Sequence, residues 1–438
     1  MSIRTEELLL NVGPQHPSTH GVFRIVVKLD GEIITHADPV MGYLHRGTEK
    51  LAENLTYTQI IPYTDRMDYV SAMTNNYVLV NAVERLMGLE IPERAEFLRL
   101  IVMELQRIAS HMVWWGTYLL DIGAMSPFLY AFRDREIIIN LFNELCGARL
   151  TYNYMRVGGV KWDAPEGWIQ KVRDFIPYMK EKLEEYNNLV SGNEIFLARI
   201  QGIGKYDAET AIAYGLSGAN LRCTGVKWDL RKDQPYSLYN RFEFDVPVGT
   251  NGDCYDRYLI RLEEIRQSLR ILEQAVEQFP EGGEIMGKAP RVIRPPEGEV
   301  YAAIESPRGE IGRHIISKGK DKPYRLKFRR PSFVNLQILP KSAGRGNDDQ
   351  PDHDSRRCGY RRRGGGLLMP DLLHAPLTWV NFAIFLAWGI VLLLVVLGFV
   401  TYAIYFERKV IGWMQCGSGR TVRARSVCFK RLRTSLSF

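Results

Sequence analysis

Two histidines, His16 and His20, stand four residues apart in the string GPQHPSTHG at 13–21. Imidazoles titrate near neutrality and suit proton donation or ligand binding. Pro14 and Pro17 oppose the regular helix that a metal-ligating pair at this spacing needs, so a rigid turn with satisfied histidines is the competing reading. The string GYLHRGTEK at 42–50 gathers His45, Arg46, Glu49 and Lys50 ahead of a helix, a composition that alone describes a solvated helix start. In DRMDYVS at 65–71, Asp65 and Asp68 flank Arg66, and the hydroxyl of Tyr69 can donate to a bound carbonyl. The same residue types also cap helices. Further on, Glu104, Arg107 and His111 fall at i, i+3 and i+7 of a stretch that is otherwise apolar all round. Such groups must pair internally, and a structural ion-pair network and a proton pathway look alike at this level. Asp121 lies among apolar neighbours in LLDIGAMSPF, where desolvation would raise its pKa.

These residues need a scaffold, and hydrophobic periodicity supplies its outline. Alternation over Val22–Leu29, the Asp30-Gly31 turn and Glu32–Thr35 predict a small N-terminal β-layer. Apolar-rich segments at 66–88, 92–119, 128–148 and 166–188 predict a helical bundle, the second introduced by Pro92 and Glu93. A glycine-rich mixed region over 194–250 precedes a strongly helical run from Asp253 to Phe279, and short strands are predicted at 299–305, 311–317 and 324–328. The expected divisions are a β region with the histidine loop at 1–50, a bundle core at 51–190 and a mixed region at 191–341. Beyond these come a Gly/Asp/Arg-rich segment at 342–368, an apolar segment at 369–415 and a basic tail at 416–438. Trp379–Phe406 runs 28 residues without a charge, long enough to span a membrane as a helix.

Composition narrows the function classes. With 46% hydrophobic and 24% charged residues, the 438-residue chain is neither disordered nor fibrous. The net charge of +7 is concentrated at one end, where residues 342–438 carry 14 Lys and Arg against 6 Asp and Glu. The preceding body is almost neutral and offers no electrostatic footprint for nucleic acid. Six cysteines, at 146, 223, 254, 358, 416 and 428, form no Cys-x-x-Cys pair. This spacing argues against a disulfide framework and against a metal or iron–sulfur cluster held by this chain.

Taken in order, GPQHPSTHG, GYLHRGTEK, DRMDYVS, ELQRIASH at 104–111, LLDIGAMSPF at 119–128, RVGGV at 156–160, ESPRGE at 305–310 and RRPSFVNLQ at 329–337 closely resemble one family. It is the D-subunit family of the proton-pumping NADH-quinone oxidoreductase, respiratory complex I, and the resemblance covers about residues 5–341. It implies an α+β fold like the large subunit of nickel–iron hydrogenases, a central helical bundle with β-layers at both ends. The cysteine pairs that bind the hydrogenase metals have no counterpart here, and the resemblance implies a quinone headgroup pocket in their place. By that resemblance His20 and Tyr69 hydrogen-bond the quinone carbonyls, Asp121 passes protons to the histidine, and His16, Arg66, Asp68 and Ser71 line the pocket. Arg46 matches an arginine near the terminal [4Fe-4S] cluster of the neighbouring B subunit. The implied setting is a peripheral subunit on the cytoplasmic side of the cell membrane, assembled with the B, C, I and H subunits of complex I, with NAD(H) used only by the whole complex.

The ending departs from the family. One permitted codon set for Ser342–Leu368, read one base later, yields the apolar ending that the family has after Lys341. Residues 369–415 resemble the start of the H subunit, a membrane protein of the same complex, and 416–438 continue it after a second shift. Two frame slips joining a D subunit to a fragment of an H subunit account for both, and the apparent span at 379–406 then says nothing about anchoring. A gene order with H directly after D leaves the electron donor open between NADH and another reductant. The alternatives are a hydrogenase-like subunit, which needs two cysteine pairs, and an inactive frameshifted or fused scaffold attached to the membrane.

Overall fold

The computed structural model describes residues 7–16, 21–30 and 33–343. All belong to one of the two units of the chain, Met1–Gly359; the other, Tyr360–Phe438, and with it the apolar run Trp379–Phe406, lies outside the described residues.

The N-terminal layer is an antiparallel sheet of β1 (Glu7–Val12), β4 (Arg24–Asp30) and β5 (Ile33–Val40), with β4 in the middle. Between β1 and β4, the short strands β2 (Gln15–His16) and β3 (Gly21–Val22) pair His16 with Gly21 across the histidine loop. After the short α1 (Thr48–Ala52), helix α2 (Tyr57–Asp65) opens on a capping box in which the Thr56 hydroxyl accepts from Gln59 N and the Thr56 N–H donates to the Gln59 side chain. Helix α3 (Ala72–Met87) ends at Gly88, whose φ of 62° suits a left-handed C-cap. The predicted helix at 66–88 therefore starts six residues late, because 65–71 turns the chain between α2 and α3.

Helix α4 (Glu93–Asp121) is the axis of the molecule. Pro92 precedes it and Glu93 and Glu96 occupy its first turn, favourable against the positive end of the helix dipole. Every residue from Phe97 to Met112 is buried, as expected of a helix that is apolar all round. Around it pack α3, α5 (Ser126–Cys146) and α11 (Cys254–Glu277). The intervening chain forms the small pair β6 (Met155–Arg156) and β7 (Gly159–Val160), then α6 (Trp168–Tyr186). Four short helices follow, α7 (Glu194–Ile200), α8 (Ala208–Ala213), α9 (Ala219–Arg222) and α10 (Leu230–Asp233).

The C-terminal layer is the antiparallel sheet β8 (Gly298–Ser306), β9 (Gly309–Ser317) and β10 (Arg325–Arg329), β9 central, with α3 packed against β8 and β9. Two short helices, α12 (Pro331–Asn335) and α13 (Leu339–Ala343), end the described body. Helices and sheets thus form the expected α+β arrangement of bundle and flanking β-layers. Among the described residues no helix is long and apolar enough to cross a membrane.

Candidate functional site

The segment between α2 and α3 carries Tyr69 on a single 3-10 turn, Tyr69–Ser71. Its backbone is held from three directions. Ser71 N donates to Asp68 O at 2.9 Å, Gln106 Nε2 of α4 donates to Val70 O at 2.6 Å, and Thr74 and Asn75 of α3 both donate side-chain hydrogen bonds to Ser71 O. Ser71 is itself buried, its hydroxyl 2.5 Å from that of Thr74. A rigid mount thus presents an aromatic ring that remains 53% exposed.

Asp68 pairs with Arg308 at 3.1 Å, which ties this segment to the turn between β8 and β9. Burial pushes the Asp68 carboxyl above its ordinary pKa, and the neighbouring guanidinium offsets only part of that rise. Asp65 is fully buried, accepts from Asn76 Nδ2 at 2.7 Å and Asn153 N at 3.0 Å, and is pushed up to about 6 by its desolvation. Arg66 turns back to donate to Pro62 O at 2.7 Å, so it satisfies the end of α2.

The turn bearing Arg308 is fixed as firmly. Ser306 Oγ donates to Gly309 O at 2.7 Å, Asn335 Nδ2 donates to Arg308 O at 3.1 Å, and Glu310 N donates to Ser217 Oγ at 3.0 Å. Gly309 has φ +117° and abuts Gly218, at which a Cβ would stand 2.6 Å from Gly309 Cα.

Directly behind this turn lies a buried ionic cluster. Arg107 pairs with Glu104 at 3.2 Å, and Glu104 also meets Arg231 at 3.4 Å and accepts from Ser268 and Tyr239. Arg231 pairs with Asp229 at 2.7 Å, while Arg222 joins Asp229 at 3.6 Å, Glu305 at 3.0 Å and Glu264. His111 Nε2 lies 2.7 Å from Glu264 Oε2. All eight charged or titratable side chains are at most 2% exposed. Burial opposes the charge on Glu104, yet Arg107 and Arg231 hold its carboxyl below the usual range, and Arg222 and His111 do the same for Glu264 more strongly. Burial likewise pushes His111 down, outweighing the neighbouring Glu264 carboxylate. Glu305 goes the other way: burial, joined by Asp229 and Glu264, pushes it up to about 7 against the pull of Arg222 and Arg231. The internal pairing expected for Glu104, Arg107 and His111 is therefore present.

The predicted site residues divide into groups. Asp68, Tyr69 and Ser71 share one turn, with Arg66 at its edge. His20 lies outside the described residues, and of His16 only the backbone, in β2, is described. Asp121 is exposed at the last turn of α4, which corrects the expectation of a desolvated carboxylate: Leu119 faces the core at this end of the helix, while Leu120 and Asp121 face out. Fifteen residues separate Asp121 from Gln106, which places it about 22 Å along the helix axis from the point that holds Val70. Arg46 is exposed on the 41–47 loop. Three residues on, in α1, Glu49 is held below its ordinary pKa, against partial burial, by hydrogen bonds from Lys327 and Phe328 N, which fasten α1 to β10.

Arg308, Glu305, Arg222, Asp229, Arg231 and Glu264 were not singled out from sequence. Arg308 and Glu305 sit in ESPRGE, a string whose density of charge around a proline and a glycine was the available signal. Glu264 had none, being one acidic residue of many on α11.

The family described as "Respiratory-chain NADH dehydrogenase, 49 Kd subunit" matches residues 121–296 and 291–347. The D subunits of the NADH-quinone oxidoreductases of Bacillus cytotoxicus and Bacillus mycoides are each 74% identical to this chain over 339 residues, covering 77% of it and 93% of the relative. The protein of the same description from Bacillus anthracis is 73% identical over the same length.

Proposed function

The chain belongs to the 49 kDa subunit family of respiratory-chain NADH dehydrogenase, the D subunits of NADH-quinone oxidoreductase, and from that premise we propose that its 65–71 turn binds the quinone headgroup. The chain is thus a component of an oxidoreductase complex, and the proposal concerns where on it the quinone reacts. The observation that carries it is the Tyr69 turn, an exposed phenol on a backbone fixed by three buried side chains, beside an ion pair from the opposite layer of the fold.

Reduction of a quinone to a quinol takes two electrons and two protons, one proton on each oxygen. The terminal iron–sulfur cluster of the partner B subunit would supply the electrons. Tyr69 donates its hydroxyl hydrogen bond to one carbonyl oxygen and His20 to the other, where each lowers the barrier to protonation. Asp121 returns a proton to His20, and Asp68 with Arg308 fixes the polarity of the pocket wall. His16, Arg66 and Ser71 complete that region. Arg46, exposed on its loop, would favour the reduced form of the partner's cluster electrostatically. The subunit acts at the cytoplasmic face of the membrane with the B, C, I and H subunits, and quinone reduction is coupled there to proton translocation.

Tyr69→Phe keeps the ring and removes only the donor. In the assembled complex it is expected to lower quinone turnover by about a hundredfold, with subunit composition unchanged on native gels. Wild-type turnover in assembled Tyr69→Phe complexes would overturn the assignment.

A further inference from the structure

The buried face of β9 carries Ile311, Arg313, Ile315 and Ser317, each at most 4% exposed. A guanidinium thus stands where the alternation of the strand calls for an aliphatic side chain. Its register partner on β8 is the small Ala302, and on β10 it is Phe328, whose ring centroid lies 4.5 Å from Arg313 Cζ. Arg313 is 1% exposed and donates to Gly312 O and to Asn75 Oδ1, each at 2.9 Å. Its Nε has no hydrogen-bond partner among the described residues.

No carboxylate stands within ion-pair reach of this guanidinium among the described residues, and its charged neighbour is a second cation, Arg330. The acids of the adjoining elements are engaged elsewhere: Glu310 pairs with Arg329 at 3.5 Å, Glu49 with Lys327 at 2.9 Å and Asp68 with Arg308 at 3.1 Å. Asp65, buried at the other end of the 65–71 segment, accepts from Asn76 and Asn153 instead. Burial, and after it Arg330, push the Arg313 pKa down to about 9, which leaves the group charged at neutral pH. A buried cation without an ion-pair partner is costly, and a methionine would fill the same space at less cost. Such a break with the local pattern marks a place where function outweighs stability.

The position of the charge supplies the function. Asn75 accepts from Arg313 through Oδ1 and donates through Nδ2 to Ser71 O at 3.0 Å, so Arg313 lies two hydrogen bonds behind the turn that presents Tyr69. We propose that Arg313 places an unpaired positive charge behind the quinone headgroup, where it stabilises the negative charge that the headgroup acquires during reduction. The inference rests on the quinone-site reading. Arg313 touches neither Tyr69 nor the headgroup; it is a positioning residue that acts through Asn75 and through its field. Two hydrogen bonds and the width of the turn put it on the order of 12 Å from a headgroup at Tyr69. The path runs through buried protein, where salt screens little. At an effective dielectric constant of about 20, one charge at that distance changes the rate about tenfold.

The test is the assembled complex carrying Arg313→Met, which keeps the volume and removes the charge. Its kcat for quinone reduction should fall about tenfold with KM within about twofold of the wild type, because the charge acts on the reacting state and leaves binding alone. An unchanged kcat would overturn the proposal, and so would a loss confined to KM. Asn75 gives a second reading that survives an assembly defect in Arg313→Met. Asn75→Ala removes the bridge and leaves the charge, whereas Asn75→Asp sets a carboxylate beside Arg313 and neutralises it in place. Asn75→Asp should turn over about tenfold more slowly than Asn75→Ala, and equal rates refute the role of the charge. Tyr69→Phe, measured in parallel, separates the two readings. If it leaves turnover intact the quinone site is elsewhere; if it is impaired while Arg313→Met is not, the Arg313 proposal alone fails.

Discussion

Arg222→Met is expected to destabilise the subunit by about 3–5 kcal/mol, a large share of the about 5–15 kcal/mol that holds a domain folded. Arg222 is 1% exposed and joins Asp229, Glu264 and Glu305 while donating to Trp228 O at 3.0 Å. Methionine fills similar volume without charge, so packing is nearly conserved and the loss is electrostatic. Four carboxylates then remain with only Arg231 and Arg107 of the ion-paired set, and the folded state must take up additional protons to relieve them. Carboxyls raised in the folded state contribute stability that is present below their unfolded pKa and lost as pH rises through the folded value. The variant should therefore be least impaired in acid and lose stability progressively toward neutrality, the opposite of a simple packing defect. Denaturant midpoints across pH check this, and a loss below about 1 kcal/mol independent of pH would sink the account of the cluster as a mutually dependent set.

Gly218→Ala is expected to cost about 3 kcal/mol and to depress quinone turnover together with it. Two effects add: at φ +69° a side chain is strained, and its Cβ would stand 2.6 Å from Gly309 Cα and 2.9 Å from Gly309 N. Neither neighbour is the loose end of a side chain, so the turn bearing Arg308 must shift. Gly147→Ala supplies the contrast, with φ +71° and open space around the new methyl, and should cost only about 1 kcal/mol. Comparable melting temperatures for the two variants would show that the close crossing of 218 and 309 does not fix the turn.

The apolar pattern of α4 was plain in the sequence because a helix buried on all sides needs no amphipathic reading. The same pattern implied that Glu104, Arg107 and His111 have partners, by the cost of leaving them bare. Which partners was illegible: Arg231, Glu264 and Glu305 lie more than a hundred residues away, on elements whose own periodicity has no reason to mark them. The break between α2 and α3 was missed because apolar spacing runs through 65–71 while side chains from α3 and α4 bend the backbone there. Asp121 was misjudged because apolar neighbours in sequence are not neighbours in space at the end of a helix. The family resemblance singled out Tyr69, Asp68 and Ser71, which the fold brings onto one turn, but assigned no role to Arg308 or to the cluster behind it.

The pairing of Asp68 with Arg308, and of Arg107 with the Glu305 carbonyl, also sets a timetable for biosynthesis. A ribosome adding roughly 5–20 residues per second needs roughly 10–50 s to travel from the first half of the site to the second. For much of that interval, until the chain reaches Cys254–Glu277, α4 has been made but Glu104 and His111 lack Arg231 and Glu264, and the surface later covered by α11 is bare. Contacts this distant in sequence form late and slowly. A chain interrupted before Glu305 therefore carries the Tyr69 turn and its hydrogen bonds from Gln106, Thr74 and Asn75 but lacks the Arg308 half of the site.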